Sequence, residues 1–164
     1  MGIDAEDFRT CVIRPTLQKL DITSPSAELL LLGTAAAESS IGAFLRSEGH
    51  KTAGIYRMHG LTHRHIWDDY LAGHPDLASA IRGIASQREF LVQPHAELTT
   101  NLSYATAITW VAYARNAQFS LPTNPTPLHL AKLWKTFYHT RQDLEIEHFI
   151  ERYKTLVAPC VAAA

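Results

Sequence analysis

Glu38 is the acidic side chain whose surroundings in the sequence are best suited to chemistry. It stands at the far end of the stretch Ser24 to Ser40, where four leucines and then three alanines run with almost no polar relief. Ser24 can accept a hydrogen bond from a free amide of a first helical turn, Pro25 suits the first helical position, and Glu28 complements the helix dipole. The pattern predicts a helix buried on nearly every side. Helical spacing sets Glu38 on the stripe of Leu31, Thr34 and Ala35, leaning over apolar surface. Desolvation disfavours the charged form of a carboxyl. A carboxylic acid that keeps its proton near neutral pH is what general-acid cleavage of a glycosidic bond requires. The plainer reading of the same residue is a polar side chain where a helix leaves the core.

A second carboxylate would complete an inverting or retaining pair. Asp68 and Asp69 point away from the apolar face of their helix, and Glu48 lies in a loop with nothing specific to support it. Among the nine histidines, His59, His63 and His65 form the densest group. His59 and His63 have the spacing of a helical metal pair, but Gly60 between them disfavours a regular helix, and His63 and His65 diverge. The expectation is a hydrogen-bonded His63, a solvated His65, no metal and no cofactor. Neither a Gly-rich phosphate loop nor a Gly-x-Ser-x-Gly elbow is present. Most aromatic residues fall on helical apolar stripes and are expected in the core. Tyr56, in a Gly-rich loop, and Tyr138, at a helix end, are the candidates for lining a sugar groove.

Positioning these residues falls to a succession of helices. Asp4 can cap a first one carrying Phe8, Cys11 and Val12, which Pro15 should kink or restart. After the central helix, residues 41–60 show no strong period, and four glycines there predict a loop, with a short extended piece at Gly54 to Met58. Thr62 opens a helix with Ile66, Trp67, Tyr70 and Leu71 on its apolar face, and Pro75 begins another with Leu77, Ile81 and Ile84. A Gln-Arg-Glu turn and Pro94 precede a long helix from about Glu97 to Asn116. Thr126 and Pro127 start a helix bearing Leu130, Leu133, Trp134 and Phe137. Asp143 is expected to cap the last, with Ile146, Phe149, Ile150 and Tyr153. The fold class predicted is all-α, one domain over residues 1–164, its longest irregular segment beside Glu38.

Composition narrows the function classes. With 164 residues, 46% hydrophobic and 19% charged, the chain reads as one globular domain. A net charge of −1 argues against a nucleic-acid-binding surface. No basic-then-apolar start marks a secretory signal, and the apolar run around Leu29 to Ala37 is too short to span a bilayer. Cys11 and Cys160 are read as two thiols.

Several segments together resemble a known family. Ala-Ala-Ala-Glu-Ser-Ser (35–40), Gly-Ile-Tyr-Arg-Met (54–58) and a Tyr-His near a helix end (138–139) are similar to the lysozyme-like lytic transglycosylases. Their pattern is a Glu-Ser at a helix end, a Gly-Leu-Met/Phe-Gln-like strand and a later Tyr-Asn. The chain also resembles small proteins of tailed bacteriophages and prophages. That likeness rests on Val-Ile-Arg-Pro-Thr-Leu (12–17), Leu-Leu-Leu-Gly-Thr-Ala-Ala (30–36), Thr-His-Arg-His-Ile-Trp-Asp-Asp-Tyr-Leu (62–71) and Leu-Trp-Lys-Thr-Phe-Tyr-His-Thr (133–140). It runs from about Val12 to Tyr153.

The resemblance implies a lysozyme-like fold with Glu38 as acid/base, cutting the β-1,4 bond of peptidoglycan. Glu38 would protonate the leaving oxygen and then deprotonate the muramoyl 6-hydroxyl, giving a 1,6-anhydro sugar. Ser39, Tyr56, Arg57, Met58, Tyr138 and His139 would hold the glycan, with Tyr138 hydrogen-bonded near Glu38. Two departures stand out: Arg57 replaces the family's Gln and His139 its Asn. Arg57 paired with Glu38 would oppose general-acid work, whereas Arg57 free would suit a carboxylate of the stem peptide or lactyl group. The expected partners are peptidoglycan strands and other virion proteins, with no nucleic acid and no membrane insertion. The expected location is the virion, or the host cytoplasm before release, with action at the cell wall. The alternative is a lysozyme-like scaffold without catalysis, structural or wall-binding, within the phage particle.

Overall fold

Asp4 opens the first helix by accepting the Asp7 amide at 3.0 Å. In this computed structural model, which describes residues 1–45, 49 and 51–162, that helix (α1) continues through residue 19. Glu48 lies outside the described residues. Proline has no N–H and crowds the carbonyl four residues back, so a regular helix cannot pass through Pro15 undisturbed. The chain answers with a wider, π-type winding over Phe8–Ile13, in which the Arg14 amide reaches Arg9 O, and returns to α-helix at Arg14–Lys19. The predicted kink is therefore a change of winding inside one rod.

The central helix, α2, spans Pro25–Ser39 with Ser24 accepting the Ala27 amide at 3.2 Å. Every residue from Leu30 to Ser39 is buried. Gly33 is necessary for that burial, because a Cβ there would sit 2.5 Å from the Phe149 ring. Glu28 does more than face the helix dipole: it takes Arg9 Nε at 2.8 Å and Arg14 Nε at 2.9 Å, tying α2 to α1. Beyond α2 the backbone turns through Ser40 and Ile41, both at positive φ. Gly2 presses on that turn. A Cβ on it would collide with the Ser40 and Ile41 carbonyl oxygens, and the Ile3 amide donates to Ile41 O at 2.7 Å.

A two-stranded antiparallel hairpin follows, β1 (Thr52–Ala53) against β2 (Met58–His59), with Thr52 opposite His59 and Ala53 opposite Met58. The extended piece predicted at Gly54 to Met58 is mostly the turn between these strands. Gly54 has φ +77, and a Cβ there would strike the Leu98 carbonyl. Only glycine accepts that combination.

Helix α3 covers residues 60–73, starting before Thr62 because the His59 side chain accepts the Leu61 amide at 3.2 Å. Then come α4 (Pro75–Ile84) and α5 (Gln87–Val92). The Gln-Arg-Glu segment expected as a turn is the first turn of α5, because Ser86 caps it. The long helix predicted from Glu97 is two: α6 (Glu97–Thr100) and α7 (Leu102–Ala114). Asn101 divides them, its side chain accepting the Tyr104 amide at 3.0 Å and donating to Ile84 O at 3.0 Å. Asparagine competes with helical backbone bonding in this way and favours caps. Thr126 and Pro127 begin α8 (Pro127–Phe137), as expected, through a capping box with His129. The last helix, α9, runs over residues 146–162, and Asp143 does not cap it; its N-cap residue is Glu145.

The architecture is mainly helical with one small sheet. One apolar cluster surrounds α2 with Phe8, Trp134 and Phe149, and a second joins Ile66, Ile81, Ile108 and Val111. Helix α7 is buried on both sides and divides its residues between them, so it carries little amphipathic pattern. No helix among the described residues is long and apolar enough to cross a membrane. Cys11 and Cys160 are free thiols.

Candidate functional site

Glu38 lies one residue before the end of α2, where helix carbonyls lose their intrahelical partners. Basic side chains take two of them. His148 of α9 lies 2.9 Å from Ala37 O, and Arg57 Nη1 donates to Glu38 O at 3.4 Å. The Arg57 guanidinium sits where the negative end of the helix dipole favours a cation. Arg57 therefore meets the backbone of Glu38 and not its carboxylate, contrary to the pairing the sequence raised. It reaches there from the hairpin turn with φ +46, a conformation rarely adopted by a residue with a side chain. Its Nε is buried without a hydrogen-bond partner among the described residues.

Three side chains hold the Glu38 carboxylate. Oε1 accepts Trp134 Nε1–H at 3.0 Å and lies 2.6 Å from His139 Nδ1, while Arg141 Nη2 is 3.3 Å from Oε2. The side chain is 1% exposed. His139 stacks on the Trp134 indole with ring centroids 4.5 Å apart, and its Nε2 faces Asp143 Oδ1 at 2.8 Å. Burial pushes the Asp143 carboxyl upward, but the bond from His139 and the neighbouring cations outweigh it and hold the group below its usual range. The apolar setting expected for Glu38 is thus a polar one. Helical spacing placed the residue over Leu31 and Thr34, yet α8 delivers an indole N–H and the segment after it an imidazole and a guanidinium.

A cavity of about 190 Å³ opens beside this network, lined by Glu38, Arg57, Met58, Arg115, Tyr138 and Arg141 with His139 at its edge. Five of the seven residues expected at the site come together here. The other two do not face it. Ser39 is buried, donating to Ile55 O at 2.5 Å and accepting the Gly42 amide at 2.8 Å, so it fastens the hairpin to the helix end. Tyr56 is a core residue against Phe8, its hydroxyl 3.0 Å from Thr106 Oγ1, because the turn at Gly54 directs it inward. Its carbonyl still contributes, accepting Tyr138 O–H at 2.8 Å. Burial, then the charge of Glu38, pushes the Tyr138 phenol up, so it stays a donor.

Trp134, Arg115, Arg141 and Asp143 escape sequence reasoning. Trp134 sits on an apolar stripe, and nothing there separates a packing indole from one that also donates. Arg141 and Asp143 follow the helix in Thr-Arg-Gln-Asp, a segment without periodicity. Charge balance at the cavity is one-sided: three guanidiniums surround one carboxylate, and among the described residues neither Arg57 nor Arg115 has an acidic partner. Such a cavity attracts an anion, and guanidinium geometry suits a carboxylate.

Away from this cavity, His63 is buried and hydrogen-bonded, His65 is solvated, and Asp68 and Asp69 are exposed. Among the described residues no group of three or more His, Cys, Asp or Glu is placed to hold a metal ion. In comparisons with known proteins, no family model, no curated protein and no solved structure matches this chain.

Proposed function

We propose that this chain is a wall-binding component of a phage particle. It would use a lysozyme-like scaffold to hold a carboxylate-bearing part of peptidoglycan without cutting the glycan. The observation that carries this reading is the saturation of Glu38. Oε1 is held by Trp134 and His139 and Oε2 by Arg141, and with 1% of the side chain exposed these contacts stand between the carboxyl group and any glycan. A general acid needs an unobstructed path to the glycosidic oxygen. The unpaired Arg57 and Arg115 supply what a binder of lactyl or stem-peptide carboxylates requires. The phage and peptidoglycan parts of the reading rest on the segment resemblance.

A second reading, a lytic transglycosylase, is favoured by one contact: Glu38 Oε1 and His139 Nδ1 are 2.6 Å apart at the wall of the cavity. With the shared proton on Glu38 and Arg141 swung outward, the acid/base scheme is restored. Cosedimentation with purified sacculi and zymography on the same material separate the readings. Expected are binding by the wild type, loss of binding in Arg57→Gln/Arg115→Gln, and no clearing. Clearing by the wild type that Glu38→Gln abolishes overturns the binding-only reading in favour of the enzyme. A wild type that neither binds nor clears overturns both.

A further inference from the structure

A larger cavity, about 930 Å³, lies on the other side of the hairpin between α3, α4 and α5. That volume is within the range of ligand sites, which are mostly apolar with a few placed polar groups. Its wall is apolar: Trp67, Leu71, Ala78 and Phe90, with the Phe90 ring 5.3 Å from Trp67. Helix α5 has no fully buried residue, and its Val92, which lines the cavity, is 74% exposed. Two guanidiniums, Arg64 and Arg82, also line the cavity, with Asp68 as the one carboxylate. Neither arginine has an acidic partner among the described residues; Arg82 rests over the Trp67 ring at 5.3 Å.

Hydrogen-bond direction adds one oriented group. Trp67 Nε1 can only donate, and it donates to Tyr104 Oη at 2.9 Å. The Tyr104 hydroxyl, 2.7 Å from His63 Nε2, is assigned as the donor to that nitrogen. Buried His63 is neutral, so its hydrogen is on Nδ1 and points to His95 Nδ1 at 2.8 Å. With His95 Nδ1 assigned as the acceptor, its own hydrogen is on Nε2, at the cavity wall and without a hydrogen-bond partner among the described residues. The relay ends in a fixed donor.

We infer that this cavity binds a small amphipathic anion, with an apolar body between Trp67, Leu71 and Phe90 and a carboxylate met by Arg64, Arg82 and the His95 N–H. Apolar walls alone would accept any hydrophobe. The two unpaired cations and the oriented donor at the same cavity select an anionic head, since a charge-assisted hydrogen bond is stronger than a neutral one. This site shares no residue with the Glu38 cavity and is independent of the function proposed for it.

The test is titration of the full chain with dodecanoate and with dodecanol, read by displacement of 1-anilinonaphthalene-8-sulfonate, with circular dichroism confirming the fold of each variant. Saturable binding of dodecanoate is expected, weakened about tenfold in Arg64→Gln/Arg82→Gln. Ala72→Trp, at an exposed cavity-lining position, is expected to block it, and Arg57→Gln to leave it unchanged. The inference is overturned if the folded wild type does not bind dodecanoate saturably, if dodecanol binds as tightly, or if Ala72→Trp binds as the wild type does.

Discussion

At Glu38 two roles for one carboxyl give opposite stability outcomes. An acid kept under tension for catalysis can be neutralised at little cost or with a gain. A carboxylate tied to three side chains cannot, because its removal leaves buried polar groups unpaired. Glu38→Gln is expected to cost about 3 kcal/mol in urea unfolding, and a variant as stable as the wild type would favour the catalytic role. Arg57 is the reverse case. Glycine adopts its φ of +46 without strain, which offsets the lost bond to Glu38 O and the added chain entropy, so Arg57→Gly is expected to leave stability within about 1 kcal/mol of the wild type while abolishing sacculus binding. His63 gives a pH signature. Burial first, then the proximity of His95, lowers its pKa to about 4 from the ordinary 6.5. Above pH 6.5 both folded and unfolded states are neutral and nothing is lost. Between 6.5 and 4 only the unfolded chain takes the proton, so stability falls with pH by about 3 kcal/mol in all. His63→Gln should flatten that slope in melting curves taken from pH 7.5 to 4.5.

Elements were legible in the sequence where side chains at their ends declare themselves. Ser24 with Pro25 and Thr126 with Pro127 cap the helices they were expected to cap. Asn101 and Ser86 cap as well, but apolar spacing continues through the first, and charged residues beside the second resemble a turn. Pattern reading overrides a single polar residue there, and the boundary is lost. Asp143 shows the converse, since an acid in the right place for a cap is taken by His139, four residues earlier in the same connecting segment. The hairpin depends most on a residue without a side chain. Gly54→Ala combines an unfavourable φ with a clash against the Leu98 carbonyl, and is expected to cost about 3 kcal/mol with loss of sacculus binding. Normal binding by that variant would show that the hairpin does not position Arg57.

Across the whole molecule, the mainly helical class follows from composition and period, whereas the pairing of cavity residues does not. Glu38, Arg57, Arg115 and Arg141 are far apart in the chain, and only packing of α2, the hairpin, α7 and α8 brings them together. Stability here rests on two apolar clusters and the Glu28 ion pairs, with Cys11 and Cys160 free. Melting temperature should therefore be the same with and without reductant, and a drop on adding it would reveal a disulfide. The contact of Gly2 with the bend after α2 leaves the end of that helix, two residues beyond Glu38, open to a wedge from an unexpected direction. A single methyl group, introduced by Gly2→Ala, would lever Ser40 and Ile41 outward and tilt the floor on which Glu38 stands. A substitution that looks peripheral in the sequence would then read, in any assay, as an injury to the site.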